Sequence, residues 1–417
     1  MGLLSLSRFD VAVLGLGAMG SAAVFQLARQ GCSVVGIDRH RPPHAFGSTH
    51  GETRITRQAI GEGQAYVPLV LRSNAIWREL EAASGERLYF DVGCLILSDP
   101  EDAVQRPART GFLQQTVAAA RRFGIAHELL DAAQIRARFP QFLVRGHEQA
   151  YFEPGGGYLL PERCVAVQLA QAERLGAQLR LDTAVLSLTQ QGDHVRIVTP
   201  TGVVEAAQLI VSAGAGSAAL LGAPFDRLLQ AERQMLHWFE VEPAQADDWR
   251  RSPTYIWPHG ANASDFFYGF PLVGGASALK VADEQYDARI DPAQYDPAAG
   301  VRASESAAMH AAHLAGRLAG VTPRVQRAVS CLYTSTPDSA FLIDRHPEAD
   351  RVLVVSPCSG HGFKHSAAIG EAAAQWVLQG ASAIDLSAFG LARFGPLAEL
   401  ERWPLAGARG ATPAAAA

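Results

Sequence analysis

Strand-like sequence from Asp10 to Leu14 runs directly into GLGAMG, Gly15 to Gly20, and then into a helical stretch that ends near Gly31. A second strand, Cys32 to Ile37, closes on Asp38. Few features restrict a fold as tightly as this one. Gly15 permits the tight turn, Gly17 lets backbone approach a pyrophosphate, and Gly20 lets helix and strand pack closely. Asp38 stands where a carboxylate accepts hydrogen bonds from ribose hydroxyls. Strand, turn, helix, strand and acid together predict a βαβ unit that binds a dinucleotide. An ADP moiety fits NAD and FAD equally well, so the motif leaves the chemistry open.

The 417 residues exceed one ordinary core and predict two intimately connected domains. A formal charge of −5 with interspersed signs provides no basic stripe for nucleic acid. Five cysteines show no CxxC pair and no metal-ligand spacing, and their odd number argues against a disulfide framework. No apolar run reaches membrane-spanning length, and the first residues lack a signal-peptide core. These features predict a soluble cytoplasmic protein that handles a small molecule, with no nucleic-acid or membrane partner and no metal. The Ala-rich tail, residues 404–417, is expected to be disordered.

Other elements that face a cofactor come from distant parts of the chain. Leu209 to Ser212 reads as a buried strand entering the turn Ala213 to Gly216, and Val352 to Val355 as another entering SPCSGHGFKHS, Ser356 to Ser366. The helix after that second turn is expected to run to about Leu378 with Gly380 as its cap. Its opening directs free N–H groups and the positive dipole end at whatever lies in front. Between these pieces, Arg233 to Val281 alternates apolar and aromatic residues in the manner of antiparallel strands. A helix from about Arg302 to Leu318 and a strand carrying Cys331 follow. The expected class is α/β, with α+β mixing. A discontinuous Rossmann-like domain (1–90, 151–223 and 326–395) holds the cofactor, and an inserted antiparallel-sheet substrate domain occupies 91–150 and 224–325.

Of 36 Lys and Arg residues only two, Lys280 and Lys364, are lysine. Where arginine serves almost every solvated positive charge, a surviving lysine is a candidate for a compact ammonium whose pKa can move.

The ordered motifs GSTHGETRITR (Gly47 to Arg57), FYGFP (Phe267 to Pro271), ALKV (Ala278 to Val281), CLYTSTPD (Cys331 to Asp338) and SGHGFK (Ser359 to Lys364) resemble the monomeric sarcosine oxidase family, which includes N-methyltryptophan oxidase. The likeness spans Phe9 to about Phe394. It implies FAD, oxidation of a secondary amino acid at the carbon beside nitrogen, reoxidation by O2 to hydrogen peroxide, and a monomer. It implies further that Cys331 tethers the flavin covalently. By the same likeness Arg57 and Lys364 are expected to bind the substrate carboxylate, Lys280 to activate oxygen, and Tyr268 and Tyr333 to position the amine. Within the first motif, His50, Arg54, Ser48 and Thr53 are expected to approach the flavin, and Gly360, His361 and Gly362 to meet its pyrimidine edge. A flavin dehydrogenase that passes electrons to another carrier is the alternative, and Lys280 speaks against it.

The chain departs from the family's pattern at Glu284, where the family carries a histidine four positions after the oxygen-activating lysine, and at Thr49, which replaces one of a histidine doublet. The Thr254 to Asp265 segment, with Trp257 and His259, reads as longer than in relatives that take the smallest substrates. These departures predict that sarcosine is a poor substrate. A larger N-methyl amino acid, a cyclic imino acid such as pipecolate, or another secondary amine is expected. An acid at 284 repels a carboxylate or attracts a second positive group.

Overall fold

The computed structural model describes residues 6–99, 111–262, 264–286 and 288–396. The expected tail, 404–417, lies outside the described residues. Leu6–Leu14 forms the middle of an eight-stranded sheet, parallel to Val34–Ile37 on one side and to Gly202–Val211 on the other. Its buried half, Val11 to Leu14, and all of Val34–Ile37 are covered on both faces, which is why both read as continuous apolar runs. Gly202–Val211 is shared along its length. Its first half pairs antiparallel with His194–Thr199, and its last residues pair parallel with Ala349–Ser356. The helices Ala18–Arg29, Val67–Ser84, Pro161–Arg174 and Ser366–Gln379 contribute the apolar faces of the largest core cluster. Gly380 ends the last of them in the left-handed conformation, as expected from sequence.

The second eight-stranded sheet runs Val321–Ser335, Gln230–Val241, Ala278–Ala282, Phe266–Gly269, Thr254–Pro258, Cys94–Ser98, Gln149–Glu153, Glu128–Leu130. All neighbours are antiparallel except Thr254–Pro258 with Cys94–Ser98. Period-two alternation divides its residues between two environments. Leu279, Val281, Phe239 and Phe267 point into an aromatic core with Trp249, Tyr255 and Trp257. Leu236, Trp238 and Cys331 lie together on the opposite face with Ala278 and Ala282, and Tyr268 packs against them. A small sheet of Arg54–Thr56, Gly157–Leu159 and Tyr89–Phe90 supports the motif that begins at Gly47.

Two strands of the second sheet run across divisions expected from sequence. Val321–Ser335 pairs with Gln230–Val241 along almost its whole length, so the chain leaves the second sheet after Ser335 rather than at residue 326. Gln149–Glu153 also belongs to that sheet, across the expected division at 150. The helix expected to reach Leu318 is regular only over Ala303–Met309 and widens over His310–Leu314, where the Ala315 N–H donates to the His310 carbonyl at 3.0 Å. Gly316, at φ 72°, then turns the chain away.

Candidate active site

The first glycine turn opens a cavity of about 1090 Å³ that extends from Gly15, Gly17 and Asp38 to Arg57, Cys331, Tyr333 and Lys364. Gly15, at φ 83°, donates its N–H to the Ile37 carbonyl at 2.9 Å. Gly17 precedes the helix without a side-chain cap, and a Cβ there would meet only Thr49 Oγ1 at 3.6 Å. Gly20 lies behind the turn, packed on Gly15. The buried Asp38 carboxylate is fixed by N–H groups of Leu16 (2.7 Å) and His40 (2.8 Å) at the cavity wall. Open space before a helix N-terminus and an anchored acid beyond it fit the pyrophosphate and ribose of a dinucleotide. The Ser212 to Gly216 turn borders the same end, and Ser212 Oγ donates to the Gly15 carbonyl at 2.9 Å.

At the other end, Cys331 stands on Val321–Ser335 opposite Gln234. Burial pushes its thiol above the ordinary value, while Arg54 and Lys280 pull in the opposite direction. Arg54 also lines the cavity and donates to the carbonyls of Ser48 (2.7 Å) and Thr53 (2.8 Å). Tyr268 and Tyr333 both line the cavity, and burial raises both phenols well above their ordinary range. Neither is a base near neutral pH. Ser48, Gly360, His361 and Gly362 complete this wall, with His361 Nε2 3.1 Å from the Ser339 carbonyl.

The two cations expected from the resemblance to bind a carboxylate, Arg57 and Lys364, are both buried. Arg57 pairs with Glu62 and donates to the Ala59 carbonyl. Glu153 pins the backbone beside it by accepting from the N–H groups of Gln58 and Ala59 and from the Tyr151 hydroxyl. Lys364 Nζ donates to the His361 carbonyl at 2.7 Å. Glu284 lines the cavity, and its Oε2 accepts from the Tyr286 hydroxyl at 2.6 Å. The sequence reading missed Glu62, Glu153 and Glu162. A glycine on each side of Glu62 was the one local signal.

Besides Gly20, three expected residues do not line the large cavity. His50 is buried, with Nε2 unpartnered among the described residues, and burial and Arg54 lower it to about 4. Thr53 and Lys280 face a second cavity instead. Lys280 Nζ donates to the Gly51 carbonyl, to the Thr53 carbonyl at 2.8 Å and to Thr53 Oγ1 at 3.1 Å. Burial, reinforced by Arg54, draws its pKa well below that of an ordinary lysine.

Residues 10–376 match the model of the DAO family, FAD dependent oxidoreductase. The chain belongs to that family. It is 35% identical over 390 residues to monomeric sarcosine oxidase of Bacillus sp. (strain B-0618), covering 93% of this chain and 96% of that protein. It is 35% identical over 386 residues to N-methyl-L-tryptophan oxidase of Yersinia pestis (strain Pestoides F), covering 93% and 99%. In structure it resembles the open form of NikD, an unusual amino acid oxidase essential for nikkomycin biosynthesis, with a TM-score of 0.78 at 22% identity over 92% of this chain and 97% of that one. It also resembles L-proline dehydrogenase from P. horikoshii, with a TM-score of 0.73 at 19% identity over 95% and 99%. At these identities the two structures speak for the fold. The chain is thus an FAD-dependent oxidoreductase related to sarcosine and N-methyltryptophan oxidases, of mixed α/β architecture. Among the described residues no helix is long and apolar enough to cross a membrane.

Proposed function

We propose that the protein oxidises a secondary amino acid at the carbon beside nitrogen, yielding an imine that hydrolyses and, with O2, hydrogen peroxide. FAD, when bound, supplies the acceptor for the hydride and returns the two electrons to O2. The observation that carries this reading is a single cavity joining a dinucleotide-binding turn to the buried cations Arg57 and Lys364 across the wall formed by Tyr268, Tyr333 and Cys331.

In this reading Gly15, Gly17 and Asp38 hold the ADP half of FAD. Ser48, Gly360, His361 and Gly362 border the ring, and Cys331 is its covalent anchor. Arg57 and Lys364 clamp the substrate carboxylate, the guanidinium as a planar fork and the ammonium as a point charge. Desolvation of the bound amine favours its neutral form, which frees the nitrogen lone pair to assist C–H cleavage. Tyr268 and Tyr333 orient it while keeping their protons. Glu284 favours a substrate that presents N–H or a second positive group to this wall, so a larger N-methyl amino acid or a cyclic imino acid is preferred over sarcosine. Lys280 supplies a fixed positive charge where O2 gains its first electron. We assign the protein to the monomeric state and to a reducing compartment, consistent with its five free cysteines.

A peroxide-coupled screen of N-methyl, cyclic and D-amino acids tests the proposal. One class is expected to bleach the yellow protein anaerobically and to give peroxide in air. Bleaching without peroxide would point to a dehydrogenase, and a protein that holds no flavin would overturn the reading.

A further inference from the structure

Glu284 leaves the second sheet just after Ala282, the strand partner of Tyr268. Gln234 fixes the peptide that follows by bonding both the N–H and the carbonyl of Gln285. The two neighbouring acids then diverge. Asp283 Oδ2 accepts from the Gln285 side chain and lies 3.9 Å from His313 Nε2, whereas Glu284, also buried, lines the large cavity. The Tyr286 hydroxyl holds Glu284 Oε2 at 2.6 Å. The other oxygen, Oε1, approaches Gly360, where a Cβ would stand 3.4 Å from it and 2.7 Å from the Tyr333 ring. Gly360, at φ 83°, keeps this approach open by carrying no side chain.

Tyr268 and Tyr333 line the cavity beside this acid, and its negative charge acts with burial to raise both phenols. Two neutral aromatic rings and a carboxylate make a site for an organic cation. The next residue along, His361, accepts from Lys364 Nζ on its carbonyl at 2.7 Å. The wall therefore changes sign over a short stretch of backbone, from the acid beside Gly360 to the ammonium of Lys364.

The reacting nitrogen is a poor partner for Glu284. A carboxylate against it favours the ammonium form, whereas C–H cleavage needs the neutral amine with its lone pair free. A second cation on the substrate carries no such conflict, because it keeps its charge throughout the reaction. We propose that Glu284, Tyr268 and Tyr333 form a cation subsite, and that the substrate is a secondary amino acid whose side chain ends in an ammonium or guanidinium group. The proposal rests on the reading of Arg57 and Lys364 as the carboxylate clamp. A basic N-methyl amino acid satisfies both signs of the wall, an acidic one is repelled at Glu284, and sarcosine offers the subsite nothing.

Two measurements on the FAD-loaded protein test this. In the first, the oxidised protein is titrated with γ-guanidinobutyrate and with isooctanoate, a neutral chain of the same length and branching, and the flavin absorbance is followed. The parent should bind the guanidinium acid about tenfold more tightly, and E284Q should lose the difference. In the second, anaerobic stopped flow compares Nα-methyl-lysine with Nα-methyl-norleucine. The lysine should reduce the parent's flavin about tenfold more efficiently, and that ratio should again collapse in E284Q. E284H, which restores the histidine of the family's pattern and is measured at a pH where imidazole is neutral, serves if E284Q does not load FAD. Equal or weaker binding of the guanidinium acid by the parent overturns the proposal, and so does a preference that survives in the variant. Selective binding of the guanidinium acid with no reduction by either amine would sink the proposed function and leave the cation subsite standing.

Discussion

Replacing Glu62 by Gln should tighten the binding of a carboxylate ligand about tenfold. The Arg57 guanidinium meets the Glu62 carboxylate with side-chain exposures of only 2% and 5%, so a ligand carboxylate arriving at Arg57 must take the place of one already there. Hydrogen bonds to an ionised partner are worth about 1.5–3 kcal/mol and those to a neutral one about 0.5–1.5 kcal/mol. The midpoints differ by roughly 1.3 kcal/mol, which converts to close to a tenfold change in Kd. Glutamine keeps the shape and one acceptor, so Gln58, Ala59 and the Glu153 bonds behind them stay in place. The variant also leaves the buried Arg57 charge less compensated, which a bound carboxylate then relieves, so both effects act in the same direction. The assay is titration of the holoprotein with a carboxylate that cannot be oxidised, followed by the change in flavin absorbance. Thermal melts should show a larger ligand-induced rise in Tm than in the parent. An unchanged or weaker Kd for E62Q would refute both the competition and the role of Arg57.

Lys280→Met should leave anaerobic reduction by substrate intact and slow reoxidation about 10²-fold, the usual effect of removing one preorganised charge; equal damage to both half-reactions would remove Lys280 from the oxygen step. In the parent, reoxidation should slow as pH rises through the lowered Lys280 pKa, because the ammonium is lost there, and K280M should lack that dependence. With Cys331→Ala the yellow colour should leave the acid-precipitated chain, and colour that stays with it would show that the tether lies elsewhere. Acid should destabilise the fold between pH 6.5 and 4, since burial lowers His50 and His237 to about 4. The unfolded chain takes these protons near 6.5 and the folded one only near 4, so stability present at neutral pH is lost as pH falls, by up to about 3 kcal/mol per histidine. Urea midpoints at pH 7 and 5 measure this, and H237N should lessen the difference.

The parts of the molecule legible in sequence are those specified by neighbours in the chain. GLGAMG, the strand before it and Asp38 constrain one another within a few turns of backbone, and the fold places them accordingly. The capping of Ser366–Gln379 by Gly380 is equally local. Strand order in the second sheet is not, because the parallel pairing of Thr254–Pro258 with Cys94–Ser98 joins segments far apart in the chain. The same limit hid the partner of Arg57. The family resemblance marked Arg57 as a carboxylate binder, but only the fold brings Glu62 to it. Lys280 was legible as unusual, but the face of the strand on which it stands was not. That this face opens on a second cavity depends on Trp238 and Ala166 arriving from elsewhere.

Why residue 280 is lysine in a chain that otherwise uses arginine follows from its acceptors. Its three hydrogen bonds go to Gly51 and Thr53 oxygens, two carbonyls and one hydroxyl, which matches the three donors of an ammonium. A guanidinium carries five donors in a rigid plane, and two would be left without acceptors against the rings of Phe270, 4.6 Å from Nζ, and Trp238, 5.7 Å away. All three partners are neutral, so they satisfy the protons without cancelling the charge. The charge is therefore retained beside the Gly51 backbone, where a Cβ would sit 3.7 Å from Lys280 Nζ and 3.8 Å from an Arg54 guanidinium nitrogen. Burial, reinforced by Arg54, works against this arrangement by drawing the pKa down, and Glu162 acts in the opposite direction. The balance leaves a charge that is expensive to keep and poorly hydrated, which is the condition under which a developing anion beside it gains most.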